Sequence, residues 1–205
     1  ASSSTVTIDT VTATPTLTSP TSSYSTKGFV DVSFTLPETA QANSVQLLFA
    51  GTTSYTLTLS ATASGSVTVN PANPLLNPAV LSITGGSGIA DGNYTVTLSY
   101  KDALGNSRVS ASSATNVTLD HSTLAPTLSS PTSAGTAAKI PIAYTLPETP
   151  RSGSVVLHLS GAATRDLTLA NGTSGSFDLD NTDPTVSAAS SVTSISGGTD
   201  IPDGE

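Results

Sequence analysis

The densest group of potential metal ligands in the sequence lies in one short acidic segment. Residues 178–183 read Asp-Leu-Asp-Asn-Thr-Asp, which places three carboxylates and one amide within six positions. Ca²⁺ binds six to eight oxygen ligands, and clusters of this kind supply them. The segment is not an EF-hand loop, because it has no glycine at its sixth position and no glutamate at its twelfth. It predicts at most a weak Ca²⁺ site, formed by Asp178, Asp180, Asn181 and Asp183.

Other acidic residues occur in pairs that are separated by about 110 positions, at the ends of an internal repeat. These pairs are Asp9 with Asp120, Glu38 with Glu148, and Asp91 with Asp203. A Ca²⁺ ion held between repeats is therefore a second possibility. The competing interpretation is that these side chains form turns and keep the surface soluble. Neither interpretation requires a cofactor, and we expect the chain to fold without a metal.

Catalytic chemistry is not indicated, whereas one type of covalent modification is. The two histidines, His121 and His158, occupy non-equivalent positions of the repeat, and no Ser-His-Asp set is supported. The absence of cysteine excludes disulfides and thiolate metal sites. We therefore expect no enzymatic activity and no catalytic residue. Sequons at Asn93, Asn116 and Asn171 permit N-glycosylation in an organism that glycosylates.

Internal repetition determines how the chain is organised. The run Thr-Leu-Pro-Glu-Thr occurs at 35–39 and again at 145–149, and Gly-Gly occurs at 85–86 and again at 197–198. The separation stays between 110 and 112 residues along the whole chain. A unit of about 110 residues has the size of one β-sandwich domain and is much longer than a solenoid repeat. The repeat therefore predicts tandem domains.

Within one repeat, apolar and polar residues alternate. The segment 30–36 places Val, Val, Phe and Leu at every second position, and 140–146 places Ile, Ile, Tyr and Leu at the same sites. This period of two is typical of antiparallel strands with one buried face. The stretch 70–78, rich in proline and asparagine, predicts a loop or a short helical turn. About seven short strands per repeat predict an all-β fold of antiparallel sandwiches. The residues expected inside the first sandwich are Val30, Val32, Phe34, Leu36, Leu47, Phe49, Leu57 and Leu98.

The charge of the chain excludes some classes of partner. The chain has 14 acidic and 6 basic residues, and its formal net charge is −8. Nucleic-acid phosphates require clustered Lys and Arg, and the basic residues here are scattered, so no nucleic-acid partner is expected. No apolar stretch approaches the roughly 18 residues of a membrane-spanning helix, so no membrane insertion is expected for this segment.

Several segments resemble parts of a known family. The segment 91–97 (Asp-Gly-Asn-Tyr-Thr-Val-Thr), followed by 101–106 (Lys-Asp-Ala-Leu-Gly-Asn), resembles the closing hairpin of bacterial-type immunoglobulin-like (Ig-like) repeats. The segment 119–127, with Asp120 ahead of Pro126, is similar to the junction between consecutive repeats of giant surface adhesins. Tyr94, just after a turn, also resembles the tyrosine corner of Ig domains. The resemblance covers essentially the whole chain and implies tandem Ig-like β-sandwich domains of an extracellular or cell-surface protein.

The repeat and the resemblance together predict three parts. Residues 1–14 correspond to the last strand of a preceding Ig-like repeat and its junction, residues 15–125 to a complete repeat, and residues 126–205 to a second repeat without its last two strands. The segment 5–9 (Thr-Val-Thr-Ile-Asp) matches 117–120 (Val-Thr-Leu-Asp), which supports the first part. We expect the two further strands to follow in the same polypeptide, and their donation by another chain is the alternative.

The function implied by the resemblance is structural or adhesive. Such a repeat would extend a surface protein or fibre from the cell, and its partners would be neighbouring Ig-like repeats; a surface ligand or glycan is possible but not identified. One alternative is a filament subunit that assembles by sharing strands or sheet edges. A carbohydrate-binding accessory module is less favoured, because such modules stack exposed aromatic side chains on sugars and only 4% of this chain is aromatic.

Overall fold

The chain forms two compact units of almost pure β-structure. A computed structural model describes residues 8–132, 139–161, 163–170, 174–186 and 191–202. Unit 1 comprises Ala1–Ser122 and unit 2 comprises Thr123–Glu205. Within the described residues, helical structure is limited to two short 3₁₀ helices, Pro74–Leu76 and Pro184–Val186. The all-β class and the short helical turn expected within 70–78 are confirmed.

Unit 1 consists of two sheets. Its described strands are β1 (Thr16–Ser19), β2 (Ser25–Thr26), β3 (Val30–Thr35), β4 (Gln46–Ala50), β5 (Tyr55–Leu59), β6 (Gly65–Val69), β7 (Val80–Thr84), β8 (Gly92–Tyr100), β9 (Val109–Ser110) and β10 (Ala114–Leu119). One sheet has the order β1-β3-β6. The other has the order β2-β10-β8-β4-β5-β7, and β9 pairs with β8.

The core of unit 1 follows from the alternation in its strands. Because side chains of a strand point to opposite faces in turn, β3 buries Val30, Val32 and Phe34 and exposes the residues between them to varying degrees. All eight residues expected in the core are buried, the most exposed being Leu36 at 7%. The predicted burial of these eight side chains is therefore confirmed.

Two features of unit 1 differ from the expectation of a wholly antiparallel sandwich. Strand β2 pairs with β10 in parallel. With only two residues, β2 is too short to show any alternation in the sequence. Strand β7 extends the sheet beyond β5, although its residues do not alternate regularly in burial and Leu81 is exposed.

A β-bulge interrupts the pairing of β1 with β3. The register shifts between Leu17 and Ser19. At this point the Thr18 hydroxyl donates to the carbonyl of Ser33 at 2.9 Å, and the Ser19 hydroxyl donates to the carbonyl of Asp31 at 2.6 Å. Side-chain hydroxyls therefore satisfy backbone acceptors where the ladder is irregular.

Unit 2 also contains two sheets in its described part. The strands are β11 (Thr127–Ser130), β12 (Lys139–Thr145), β13 (Val156–Leu159), β14 (Arg165–Leu169), β15 (Gly175–Asp180) and β16 (Val192–Ser196). The sheet orders are β11-β12-β15 and β13-β14-β16. The residues buried between them include Ile142, Leu167, Phe177 and Leu179.

The paired strands of unit 2 repeat registers of unit 1. In β11 and β12, Leu128 pairs with Tyr144 before a register shift, as Leu17 pairs with Phe34 before the shift in β1 and β3. The shift in β14 and β16 likewise matches that in β5 and β7. The sequence repeat is therefore also a repeat of strand pairing.

Candidate functional site

Three carboxylates from distant parts of the sequence meet at one end of unit 1. Asp9 lies in the segment that leads into β1 (residues 9–14, the entry segment), Glu38 follows β3, and Asp102 follows β8. One carboxylate oxygen from each lies within 4.8 Å of the other two. These three side chains form the acidic cluster. Across the described ranges of the chain, no other group of three His, Asp or Glu side chains is as close together.

A short backbone contact beyond β3 and β8 brings Glu38 close to Asp102. Ala40 and Asp102 form an isolated antiparallel bridge. Beside it, the Ala103 N–H donates to the carbonyl of Thr39 at 2.8 Å. The chain segments that follow the two strands are thereby held against each other.

Asp102 is the most buried member of the cluster, at 2% exposure. Its Oδ1 accepts the backbone N–H of Asn106 at 3.0 Å, and its Oδ2 accepts the side-chain amide of Asn106 at 2.7 Å. The same amide donates to Asp9 Oδ1 at 3.3 Å. Gly105, with φ +81°, gives the turn the left-handed conformation that brings Asn106 back to Asp102. Asn106 therefore bridges two of the three carboxylates.

The cluster and its neighbours fasten the entry segment to the unit. The Ala13 N–H donates to Glu38 Oε2 at 2.9 Å, and the Tyr100 hydroxyl donates to the Ala13 carbonyl at 2.8 Å. The Asp102 N–H donates to the hydroxyl of the buried Thr12 at 3.3 Å. The N–H and the carbonyl of Ala13 are thus both bonded to side chains, one from Glu38, which follows β3, and one from Tyr100, at the end of β8.

Burial and hydrogen bonding shift two pKa values at this site. Burial alone raises the pKa of Asp102, but the N–H donors of Asn106 and Gly105 outweigh it, so the pKa lies below its ordinary value. Burial, and then the negative charges of Glu38 and Asp102, raise the pKa of Tyr100. Asp102 is therefore ionised at neutral pH, and Tyr100 keeps the proton that it donates to Ala13.

The acidic cluster supplies hard oxygen ligands, which are the kind that Ca²⁺ prefers. Three carboxylates are fewer than the six to eight oxygens that Ca²⁺ coordinates unless they bind in bidentate fashion or are joined by backbone or water oxygens. At the same time, N–H groups of Ala13 and Asn106 already compensate the charge of these carboxylates. These hydrogen bonds are enough to explain how the cluster holds the entry segment, and the explanation requires no bound ion.

The predicted Ca²⁺ segment in unit 2 uses its carboxylates in local turns. Asp180 Oδ1 accepts the backbone N–H of Thr182 at 3.0 Å and its hydroxyl at 2.7 Å. Asp183 Oδ1 accepts the N–H of Thr185 at 3.1 Å and its hydroxyl at 2.6 Å. The hydrogen bonds from Thr182 lower the pKa of Asp180. Both residues therefore act as turn-forming aspartates.

The other two residues of this predicted site have different surroundings. Asp178 is exposed on β15, and the backbone carbonyl of Asn181 accepts the N–H of Ile201 at 2.9 Å. Within the part of the chain that is described, Asp178, Asp180 and Asp183 are not brought as close together as the acidic cluster. The weak Ca²⁺ site remains a prediction from the sequence.

The paired acids at the repeat ends have several roles. In unit 1, Asp91 accepts the backbone N–H of His121 at 2.8 Å and that of Ser122 at 3.1 Å, and the His121 ring also contacts it. In unit 2, Glu148 Oε1 accepts the N–H of Leu124 at 3.3 Å. Asp120 is exposed, and Asp203 lies outside the described residues. Of the six acids, the structure brings Asp9 and Glu38 into one group.

Two of the three predicted glycosylation sites are accessible. Asn93 is exposed on β8, and Asn116 is exposed on β10. Asn116 has φ 56° and lies at a register shift between β10 and β8, where a bulge turns its side chain outward. Asn171 lies outside the described residues. Glycosylation at all three remains a prediction.

The residues that the sequence did not indicate for this site are Asp102, Asn106, Tyr100 and Thr12. Asp102, Gly105 and Asn106 belong to the segment 101–106, whose resemblance indicated a turn but no role for its side chains. Asp102 stands three positions before Gly105-Asn106, and this spacing is the sequence signal that could have predicted a turn in which Asn106 donates to the Asp102 carboxylate.

Known proteins supply no further constraint on the site. Comparison of the chain with protein-family models, curated proteins and solved structures found no match. In the described portion of the chain, none of the helices has the length and apolar character needed to cross a membrane.

Proposed function

We propose that the chain is a structural repeat of an extracellular or cell-surface protein. Its tandem Ig-like sandwich domains would hold other parts of that protein, or of a fibre, away from the cell. Its partners would be the neighbouring repeats. The proposal assigns the chain no catalytic role and no required cofactor, and adhesion to a surface ligand would belong to another part of the protein.

The strand order of unit 1 supports the Ig-like assignment. In variable-type Ig domains, two extra strands extend the sheet that contains the last two strands of the domain. The order β10-β8-β4-β5-β7 has this spatial arrangement, with β5 and β7 as the extension. The connection differs, because β6 of the other sheet comes between β5 and β7 in the chain. The sheet β1-β3-β6 corresponds to the opposite layer.

Tyr94 supports the same assignment. A tyrosine corner places a tyrosine near the start of the penultimate strand, with its hydroxyl bonded to the backbone a few residues upstream. The Tyr94 hydroxyl donates to the Ala90 carbonyl at 2.8 Å. Its buried ring meets Phe49 edge to face, with ring centroids 6.1 Å apart and an interplanar angle of 81°.

The observation that carries the spacer proposal is that the chain enters and leaves unit 1 at opposite ends of β8. On entry, Ala13 is bonded to Tyr100, the last residue of β8. On exit, Leu119 pairs with Gly92, the first residue of β8. Nine residues of strand span about 30 Å. A unit of this kind advances the chain instead of returning it to its starting point.

The parallel strands β2 and β10 suit a unit that carries tension between its ends. The Thr118 N–H donates to the Tyr24 carbonyl at 2.8 Å, and the Asp120 N–H donates to the Thr26 carbonyl at 3.0 Å. Because hydrogen bonds of a ladder lie across the strands, pulling β2 and β10 in opposite directions loads these bonds in shear. The bonds then have to break together and not one after another.

Force spectroscopy on the chain, held by its two ends, tests this function. Unit 1 is expected to unfold in one step that lengthens the chain by roughly 300 Å, from about 3.4 Å for each residue released between β2 and β10. Asp120→Pro removes the N–H that bonds to Thr26, whereas Asp120→Ala keeps it. We expect unit 1 to unfold at lower force in Asp120→Pro than in Asp120→Ala. Equal forces in the two variants would argue against load-bearing by β2 and β10.

A filament subunit that shares strands or edges is the second candidate. Unlike the spacer, a filament subunit would form assemblies of the isolated chain that grow with protein concentration. Sedimentation of the chain over a range of concentrations therefore separates the two functions.

A further inference from the structure

The segments that lead into and out of unit 1 are each hydrogen-bonded to one end of β8. This strand has nine residues, is the longest of the described strands, and lies between β10 and β4 in its sheet. Its residues Val96, Leu98 and Tyr100 are 0% exposed. Core strands of this kind are the last parts of a domain to open, so a segment that is bonded to β8 is held firmly.

The entry segment is bonded to the last residue of β8 and to the turn that follows it. The Tyr100 hydroxyl donates to the Ala13 carbonyl at 2.8 Å, and the Asp102 N–H donates to the Thr12 hydroxyl at 3.3 Å. Tyr100, Asp102 and Thr12 are all buried. Thr12 and Ala13 precede β1 in the chain. A pull on the entry segment therefore reaches the end of β8 before it reaches β1.

Asp91, the residue before β8, holds the segment that leaves β10 (residues 121–122, the exit segment). Its Oδ1 accepts the N–H of His121 at 2.8 Å, and its Oδ2 accepts the N–H of Ser122 at 3.1 Å as well as the Ser122 hydroxyl. Hydrogen bonds to a carboxylate are stronger than those between neutral groups. A pull on the exit segment therefore reaches the start of β8 through Asp91.

The two fastenings lie at opposite ends of one continuous stretch of backbone. The nine strand residues between them span about 30 Å. Because a strand is already close to the greatest length that its residues can reach, it lengthens little when it is pulled. Tension that enters through Tyr100 and leaves through Asp91 is therefore borne by the covalent backbone of β8.

We propose that β8 is a tie that carries tension between the two ends of unit 1, with Tyr100 and Asp91 as its fasteners. The inference rests on the proposed spacer function, because a spacer is pulled through its two ends. The tie takes load that would otherwise fall on β1 and β10 alone. Unit 1 then unfolds only when the fasteners break in addition to the bonds between β2 and β10.

The test compares two pairs of pulling points on the same unit. Because the chain contains no cysteine, introduced cysteines can carry the handles. The outer pair, Thr10→Cys with Thr123→Cys, lies outside both fasteners. The inner pair, Thr14→Cys with Asp120→Cys, lies inside both. All four residues are exposed, and each chain carries alanine at the positions of the other pair, so that the same four positions are changed in both.

Force spectroscopy is expected to show that unit 1 unfolds at a higher force from the outer pair than from the inner pair. Tyr100→Phe removes the hydroxyl but keeps the buried ring, and Asp91→Ala removes the carboxylate. When both substitutions are present, the two pairs should give equal forces. Thr68→Val is the control, because it removes a hydroxyl that bonds to Asp31 between β6 and β3. It should preserve the difference.

Equal forces from the two pairs, with Tyr100 and Asp91 intact, would overturn the tie, since the fasteners would then break before the unit does. This comparison does not depend on the double variant folding. A difference that persists in a folded double variant would also overturn it. If the tie fails but Asp120→Pro still unfolds at lower force than Asp120→Ala, the spacer function stands without it. If those two forces are equal as well, both proposals fail.

Discussion

Glu38 accepts the backbone N–H of Ala13 at 2.9 Å, across 25 positions of sequence. The same relationship recurs in unit 2, where Glu148 accepts the N–H of Leu124 at 3.3 Å. Both glutamates belong to the repeated run Thr-Leu-Pro-Glu-Thr. The glutamate of this run therefore fastens the segment that leads into the first strand of each unit.

Replacing Glu38 is expected to loosen the entry segment of unit 1. Glu38→Ala leaves the Ala13 N–H without its acceptor, which should cost about 1–3 kcal/mol. Glu38→Gln should cost less, because an amide oxygen can still accept the bond and one negative charge beside Asp9 and Asp102 is removed. Urea unfolding gives the free energies. Hydrogen exchange should show faster exchange at Ala13 in Glu38→Ala, and Glu148→Ala should instead affect Leu124. Unchanged exchange at Ala13 would contradict the role of Glu38.

Chelation is expected to leave the melting temperature of unit 1 unchanged. The carboxylates of the acidic cluster already accept hydrogen bonds from Ala13 and Asn106, so we expect the fold not to depend on an ion to balance them. Calorimetry with and without EDTA is the measurement. A fall of more than about 5 °C, which corresponds to roughly 1 kcal/mol in a domain of this size, would show that a bound metal contributes to stability.

Phe34→Ala is expected to destabilise unit 1 by about 3–5 kcal/mol, because it removes a large side chain from a close-packed core. Phe34 is 4% exposed on β3. Phe29, just before β3, is 60% exposed and provides a matched control. Phe29→Ala should change stability by no more than about 0.5 kcal/mol. Similar losses in the two variants, measured by urea unfolding, would contradict the register of β3.

Asp91 is expected to make unit 1 sensitive to acid. Burial alone raises the pKa of Asp91, but hydrogen bonds from the Ser122 hydroxyl and the His121 N–H outweigh it, and the pKa lies below its ordinary value of 3.8. A carboxyl with a lowered folded-state pKa stabilises the fold above its unfolded pKa, and this stability is lost as pH falls through the folded pKa. The melting temperature should therefore fall below about pH 4.

Asp91→Asn removes this titrating group. Its melting temperature should fall less than that of the parent chain between about pH 4 and pH 2, although it should be lower at neutral pH. Asp31→Asn, which removes an exposed carboxylate from β3, is the control for net charge. The melting temperatures are measured by calorimetry at each pH. If the melting temperature of Asp91→Asn fell with pH as steeply as that of the parent chain, Asp91 would not be the cause of the acid sensitivity.

The alternation of residues predicted the core strands of unit 1 well because burial on one face requires it. The core positions of β3 and β4 could be read from the period alone. Strand β2 could not, because two residues show no period. Strand β7 could not either, because it lies at the margin of its sheet and exposes residues such as Leu81.

The acidic cluster was only partly predictable. The repeat singled out Asp9 and Glu38, because each has a counterpart about 110 residues later. Asp102 comes close to Glu38 because the segments that follow β3 and β8 meet, through the bridge between Ala40 and Asp102 and the bond from Ala103 to Thr39. A contact made by loops after two strands in different sheets leaves no periodic signal in the sequence.

The bulge in β1 has a consequence for concentrated solutions of the protein. The hydroxyls of Thr18 and Ser19 occupy the carbonyls of Ser33 and Asp31, and the serines of β11 make equivalent bonds in unit 2. An irregular margin is a poor template for cross-β association between molecules. At high protein concentration, molecules should therefore not pair with one another through the edges formed by β1 and β11. We therefore expect the serine and threonine side chains at this position to oppose aggregation, in addition to favouring strands.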